Sequence, residues 1–178
     1  AVLGDESGGY SAELKALVLA AKNYCAAASN YFLGTTYGVE LGEVTEEALA
    51  AYAHEKNGEL PGGVKVLGTR LVLESGTAIR LYFTAADGNT VCTVNGETVK
   101  AVDKTDGGAA VYYIEIGDIS AQKLDDFYTI TVGENYTVRY SALSYVRTAI
   151  LSEDAAAELK TVAKALYFYN AAANAYFA

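Results

Sequence analysis

The residues that could do chemistry in this chain are few and scattered. His54 is the only histidine. It falls on what reads as a short helix, with no nucleophile and orienting acid arranged beside it as a hydrolytic triad requires. A zinc site draws on several His or Cys ligands, and Cys25 and Cys92 are the only cysteines. A bridge between them would need their Cα atoms within ~7 Å, which sequence cannot show. Both read as free, partly buried, small apolar residues. Asp87, Asn89, Asp103 and Asp106 lie at expected hairpin tips, where oxygen ligands could gather around calcium. Their spacing matches no EF-hand loop, and Asp and Asn are favoured in turns for backbone reasons. The pairs Glu46-Glu47, Asp125-Asp126 and Glu153-Asp154 are sequence neighbours, not two carboxylates flanking a scissile bond. Two of these pairs open helices, where the dipole favours anions. Gly62-Gly63 and Gly107-Gly108 match no phosphate-binding fingerprint. No catalytic, cofactor or metal residue is assigned, and the expectation is a protein that is not an enzyme and holds no cofactor.

Aromatic side chains leave one further chemistry open. The chain has 15 tyrosines and no tryptophan. Most fall on helix stripes or strand faces and read as core. Tyr82, Tyr112, Tyr113 and Tyr128 are the candidates for rings that face a ligand and stack on sugar. In the adjacent pair Tyr112-Tyr113, a regular strand sends one ring to each side of the sheet.

The charge sum, 13 − 22 = −9, argues against a nucleic-acid partner, because phosphate binding needs clustered Lys and Arg. No apolar run reaches the ~18 residues a membrane span needs. The start Ala1-Val2-Leu3, with no Met and no signal-peptide pattern, reads as a mature fragment or an excised unit.

Four segments follow from the periodicity. Residues 1–33 hold a Gly-rich lead-in and a helix capped by Ser11. Residues 34–63 hold a loop and a short helix capped by Thr45, ended by Asn57-Gly58 and Pro61-Gly62-Gly63. Residues 64–140 have period two, with strands expected at 64–67, 69–75, 77–84, 90–94, 97–102, 110–116, 127–133 and 136–140. Asn95-Gly96 is a strong hairpin signal, and residues 118–126 read as a loop with one helical turn. Residues 141–178 hold a helix over 142–151 capped by Ser141, then a last helix capped by Ser152. The expected fold is α+β: an antiparallel, Ig-like β-sandwich of seven to eight strands with two long helices packed on it.

The two long helices nearly repeat each other. Residues 13–32 read ELKALVLAAKNYCAAASNYF and residues 158–177 read ELKTVAKALYFYNAAANAYF; 10 of 20 aligned positions are identical. Long-period repeats mark modular arrays, so the first helix reads as the counterpart of the tail helix of a preceding unit. If the pair packs antiparallel, each Tyr can lie over an Ala of the other helix. The stretch Tyr140-Ser141-Ala142-Leu143-Ser144-Tyr145-Val146 and the helix after it resemble the end of a repeated module of large secreted or wall-attached surface proteins of gut Firmicutes. Ile79-Arg80-Leu81-Tyr82-Phe83, Tyr113-Ile114-Glu115-Ile116 and Leu124-Asp125-Asp126-Phe127-Tyr128 fit the same pattern. The resemblance covers roughly residues 64–177 and transfers no functional residue. It implies an extracellular or cell-wall-attached, non-catalytic structural or adhesive module acting as a spacer or interaction domain. The implied partners are neighbouring modules of the same parent, and a glycan or host surface protein. The competing reading is a carbohydrate-binding module for polysaccharide or mucin glycan.

Overall fold

The computed structural model describes residues 2–4, 9–74, 76–86, 88–105 and 110–178. The lead-in at residues 1–9 and the turns at Asp87 and Asp106-Gly107-Gly108 fall largely outside them. The chain is α+β, with four α-helices and two antiparallel sheets among the described residues. It divides into two compact units: Ala1–Ala51 with Ala121–Leu124 and Val146–Ala178, and Tyr52–Ser120 with Asp125–Tyr145.

In the first unit, α1 (Ala12–Leu33) begins where its sequence predicts. Ser11 is extended, and its Oγ accepts a hydrogen bond from the Leu14 amide at 3.2 Å, satisfying one of the orphan donors of the first turn. Thr45 caps α2 (Glu46–Ala50) in the same way through the Ala48 amide. That helix is only five residues long, shorter than expected. His54 lies beyond it, and Glu55–Asn57 form a strand instead. α3 (Ala142–Leu151) starts at Ser141, whose Oγ accepts from the Ser144 amide while Ser144 Oγ accepts from the Ser141 amide. This is a reciprocal cap made by two serines. The expected cap at Ser152 is overturned. The Ser152 amide donates to Thr148 O at 3.0 Å and so completes the end of α3. α4 (Ala157–Phe177) starts five residues later, after Ala156, without a side-chain cap.

α1 and α4 pack along each other, and the repeat in their sequences is repeated in their geometry. Tyr24 and Tyr169, which occupy the same repeat position, stack ring on ring at 5.7 Å with planes 12° apart. Beside this stack, Ala16, Ala20 and Asn23, which precede Tyr24, line one depression together with Phe168, Ala171 and Ala172, the last two of which follow Tyr169. One helix therefore descends as the other ascends, and the pair is antiparallel with an approximate twofold axis at the tyrosine stack. At the C-terminal end of α1, Tyr31 and Phe32 meet edge to face at 4.8 Å; at that of α4, Tyr176 and Phe177 do so at 4.9 Å. Their exposures match too: 39% and 40% for the tyrosines, 56% and 59% for the phenylalanines. The expected Tyr-over-Ala packing is thus corrected at the centre, where the symmetric position stacks on itself. The alanines Ala20, Ala27, Ala165 and Ala173 are buried and let the helix backbones approach closely.

Two asparagines of α1 hold the chain that follows it. The Asn30 amide donates to Tyr37 O and its carbonyl accepts from the Tyr37 amide, both at 2.8 Å. Asn23 does the same for Glu40, at 2.7 and 3.3 Å. Seven residues of helix and three of extended chain both span ~10 Å, so the two clamps keep residues 37–40 running alongside α1. Asn170 of α4 donates to Ala121 O at 2.8 Å, fixing the 3-10 turn Ala121–Lys123.

The described residues of the second unit form nine strands. β1 (Glu55–Asn57), β9 (Tyr136–Tyr140), β8 (Tyr128–Val132), β4 (Cys92–Val94) and β5 (Glu97–Val99) form one sheet in that spatial order. β2 (Lys65–Leu73), β3 (Thr77–Thr84), β7 (Val111–Ile116) and β6 (Val102–Asp103) form the other. Asn95 and Gly96 both have positive φ (52° and 85°) and close β4 on β5 as a type I′ hairpin. The expected strand at 97–102 is split between the two sheets, and those at 64–67 and 69–75 are one strand with a bulge between Val66 and Gly68. Each sheet has a buried side: Ile79, Leu81, Phe83 and Ile114 in one, Ile130, Val132 and Val138 in the other.

Offset-stacked rings couple by about 0.5–1.5 kcal/mol beyond the area they bury. Tyr24→Ala and Tyr169→Ala should each lower stability by roughly 1–3 kcal/mol in urea denaturation. The double variant should lose less than the sum by about that coupling. Strict additivity would mean that the stack contributes nothing of its own.

Candidate functional site

The candidate site lies on the face of the four-stranded sheet opposite its buried side. Alternation on β3 buries Ile79, Leu81 and Phe83 and turns Arg80, Tyr82 and Thr84 the other way. On β7 it buries Tyr112 and Ile114 and turns Val111, Tyr113 and Glu115 out. Register then places Tyr82 directly beside Tyr113, and Arg80 beside both Glu115 and Arg70. The two rings lie 5.4 Å apart, tilted by 41°. The Arg70 guanidinium sits 5.4 Å above the Tyr82 ring and that of Arg80 sits 4.9 Å above Tyr113, positions that the negative ring face favours. Arg80 Nε donates to Glu115 Oε2. This hydrogen bond is the main cause that raises the Arg80 pKa above its ordinary value.

β2 supplies the open side of the site. The bulge at Val66–Gly68 puts Gly68 opposite Tyr82. Gly68 has φ 142°, a conformation that side chains rarely adopt, and a Cβ built there would meet no atom within 4 Å. A depression of about 370 Å³ results, lined by Leu67, Gly68, Arg70, Tyr82, Lys104 and Val111.

Of the four candidate tyrosines, the structure brings Tyr82 and Tyr113 together, both half-buried. Tyr112 is only 7% exposed and packs beside Phe83. Tyr128 pairs with buried Tyr140 and shares its strand face with buried Ile130 and Val132, so Tyr112 and Tyr128 are turned toward the cores of their sheets. Desolvation, with Asp126 nearby, raises the Tyr128 pKa. Arg70 and Arg80 belong to the site and were not singled out from sequence. The alternation in Ile79–Phe83 carries Arg80, but the bulge in β2 hides which face Arg70 takes.

The remaining candidates stay apart. His54 is exposed, with its ring 5.7 Å from that of Tyr140. Asp103 accepts a hydrogen bond from the Thr105 amide at 2.8 Å, a turn closed on itself. Asp87 and Asp106 lie outside the described residues, among which no three His, Cys, Asp or Glu side chains are placed to share a metal ion. No described helix is long and apolar enough to cross a membrane. Both cysteines are free, but they are not alike: Cys92 is buried, whereas Cys25 is exposed, against the expectation that both are partly buried. Cys25 sits on the α1 face turned away from the buried Ala20, Asn23 and Ala27.

The chain matches no protein-family model, no curated protein and no solved structure.

Burial pushes the Cys92 thiol up from its ordinary 9.0 to about 11 and also raises Tyr140, with Tyr145 adding to it. Both groups favour the protonated form in the folded state. Their contribution to stability is complete below the unfolded values and is lost as pH climbs through the folded ones. The urea midpoint should therefore fall between pH 9 and 11, less steeply in Cys92→Ala; an equal slope in the variant would remove Cys92 as a cause. At pH 8 a thiol reagent should modify one cysteine of the native chain quickly and the second only on unfolding. Cys25→Ala should abolish the fast phase, and two fast thiols would contradict the burial of Cys92.

Proposed function

We propose that this chain is a non-catalytic structural or adhesive module of a bacterial extracellular surface protein, a spacer or interaction domain set among further modules of its parent. The observation that carries this reading is the stack of Tyr24 on Tyr169. Two copies of one helix sequence meet at their equivalent position about an approximate twofold axis. A helix that packs on its own near copy can equally receive the tail helix of a neighbouring module, and that is how a repeated array is joined. The two sheets, each with one buried side, fit an Ig-like sandwich. The resemblance of residues 64–177 to repeated modules of secreted and wall-attached proteins supports an extracellular or wall-attached setting.

A second reading, carbohydrate binding, is favoured by the Tyr82–Tyr113 face. It has two outward rings, charged groups beside them and a depression at their edge. This is the combination of apolar surface and a few placed polar groups that ligand sites use. On this reading the partner is a glycan.

Removing residues 1–33 tests the joining role. The truncated chain should dimerise or aggregate through the uncovered face of α4. A synthetic peptide of residues 156–178 should restore the monomer nearly as well as one of residues 11–34, as read by light scattering. A truncated chain that stays monomeric with an unchanged urea midpoint would end this reading, as would rescue by the 11–34 peptide alone.

A further inference from the structure

We infer that the Tyr82–Tyr113 face binds an anionic polysaccharide, one whose sugars carry carboxylate or sulfate groups; this rests on the carbohydrate-binding reading above. The argument is charge complementarity on an otherwise acidic molecule. Lys65, Arg70, Arg80 and Lys104 lie on this face or at the rim of its depression, with Glu115 the carboxylate among them. These five described groups sum to 4 − 1 = +3, on a chain whose total is −9. Asp103 is in register with inward-turned Tyr112 and is held by the Thr105 amide. Among the described residues, no carboxylate pairs with Lys65, Arg70 or Lys104.

The arginines are also placed before any ligand arrives. Each guanidinium rests over a tyrosine ring, and the Glu115 bond to Arg80 is made through Nε. Side chains already held in position lose less entropy on binding, and a guanidinium matches carboxylate and sulfate oxygens with parallel N–H donors. Rings tilted by 41° make an angled cradle, which suits puckered sugar rings better than a flat base. Gly68 leaves the floor beside Tyr82 open, so a chain of sugars can run across the strands from Arg70 on β2 past Tyr82 toward Lys104. An anionic sugar therefore finds a positive point, an apolar ring and an unobstructed path on one sheet face.

The test is calorimetric titration of the full chain with dextran, dextran sulfate, polygalacturonate and oligodeoxythymidylate at low and moderate salt. Arg70→Ala and Tyr82→Ala are run beside it, with thermal melts to verify folding. Dextran sulfate or polygalacturonate should bind, dextran should not, and Arg70→Ala should weaken binding about tenfold, the loss expected for one charge-assisted contact. Which of the two polymers binds identifies sulfate or carboxylate as the recognised group. Dextran binding as tightly as its sulfate would overturn the anionic preference and leave the carbohydrate reading standing. Binding of none of the polysaccharides would overturn both. Oligodeoxythymidylate binding as tightly as the polysaccharides would overturn the preference for sugar. Folded variants that bind as the parent does would show that this face is not the site.

Discussion

The helical unit depends on one contact, the stack of Tyr24 on Tyr169. Two helices rich in alanine have little side-chain volume to interlock, so their backbones can come close and slide. A pair of large rings at the same repeat position fixes the register. With the rings stacked and the helices antiparallel, the Tyr–Phe pairs at the two C-terminal ends fall into matching exposed positions. The asparagine clamps add a second constraint. Each uses both halves of a side-chain amide on the backbone N–H and C=O of one residue, so Asn23 and Asn30 tie down residues 37–40 without any regular secondary structure.

The strand-rich unit shows how a sheet assigns roles by alternation. One side of β3 and β7 carries Ile79, Leu81, Phe83 and Ile114 and is buried. The other side carries Arg80, Tyr82, Tyr113 and Glu115. Register across the strands then sets ring beside ring and cation over ring. The bulge in β2 is the local irregularity that makes a surface into a site, because it places a glycine where an ordinary strand would set a side chain against Tyr82.

Much of this was legible from sequence wherever the signal is local. Ser11 and Thr45 cap helices because their hydroxyls reach amides three residues on. Thr77–Thr84 alternates cleanly, and Asn95-Gly96 can close only a tight hairpin. The misreadings came where distant partners decide. Glu55–Asn57 has no apolar alternation and becomes a strand only because β9 offers a free edge. Ser152 looks like a cap, yet its amide is spent on the end of α3. The stretch 97–102 reads as one strand, and tertiary pairing divides it between two sheets. For the site, sequence could say that one of Tyr112 and Tyr113 faces outward. It could not say that Tyr82 would be its neighbour, nor that a bulge would turn Arg70 toward them.

The central claim is that α1 and α4 are interchangeable halves of one packing unit. Its most direct test is a chain in which residues 13–32 are replaced by the sequence of residues 158–177, keeping asparagine at positions 23 and 30 so that both clamps survive. The account predicts a monomer with native helical content and a urea midpoint close to that of the parent. An aggregated chain, or one whose helical unit melts separately and early, would contradict it.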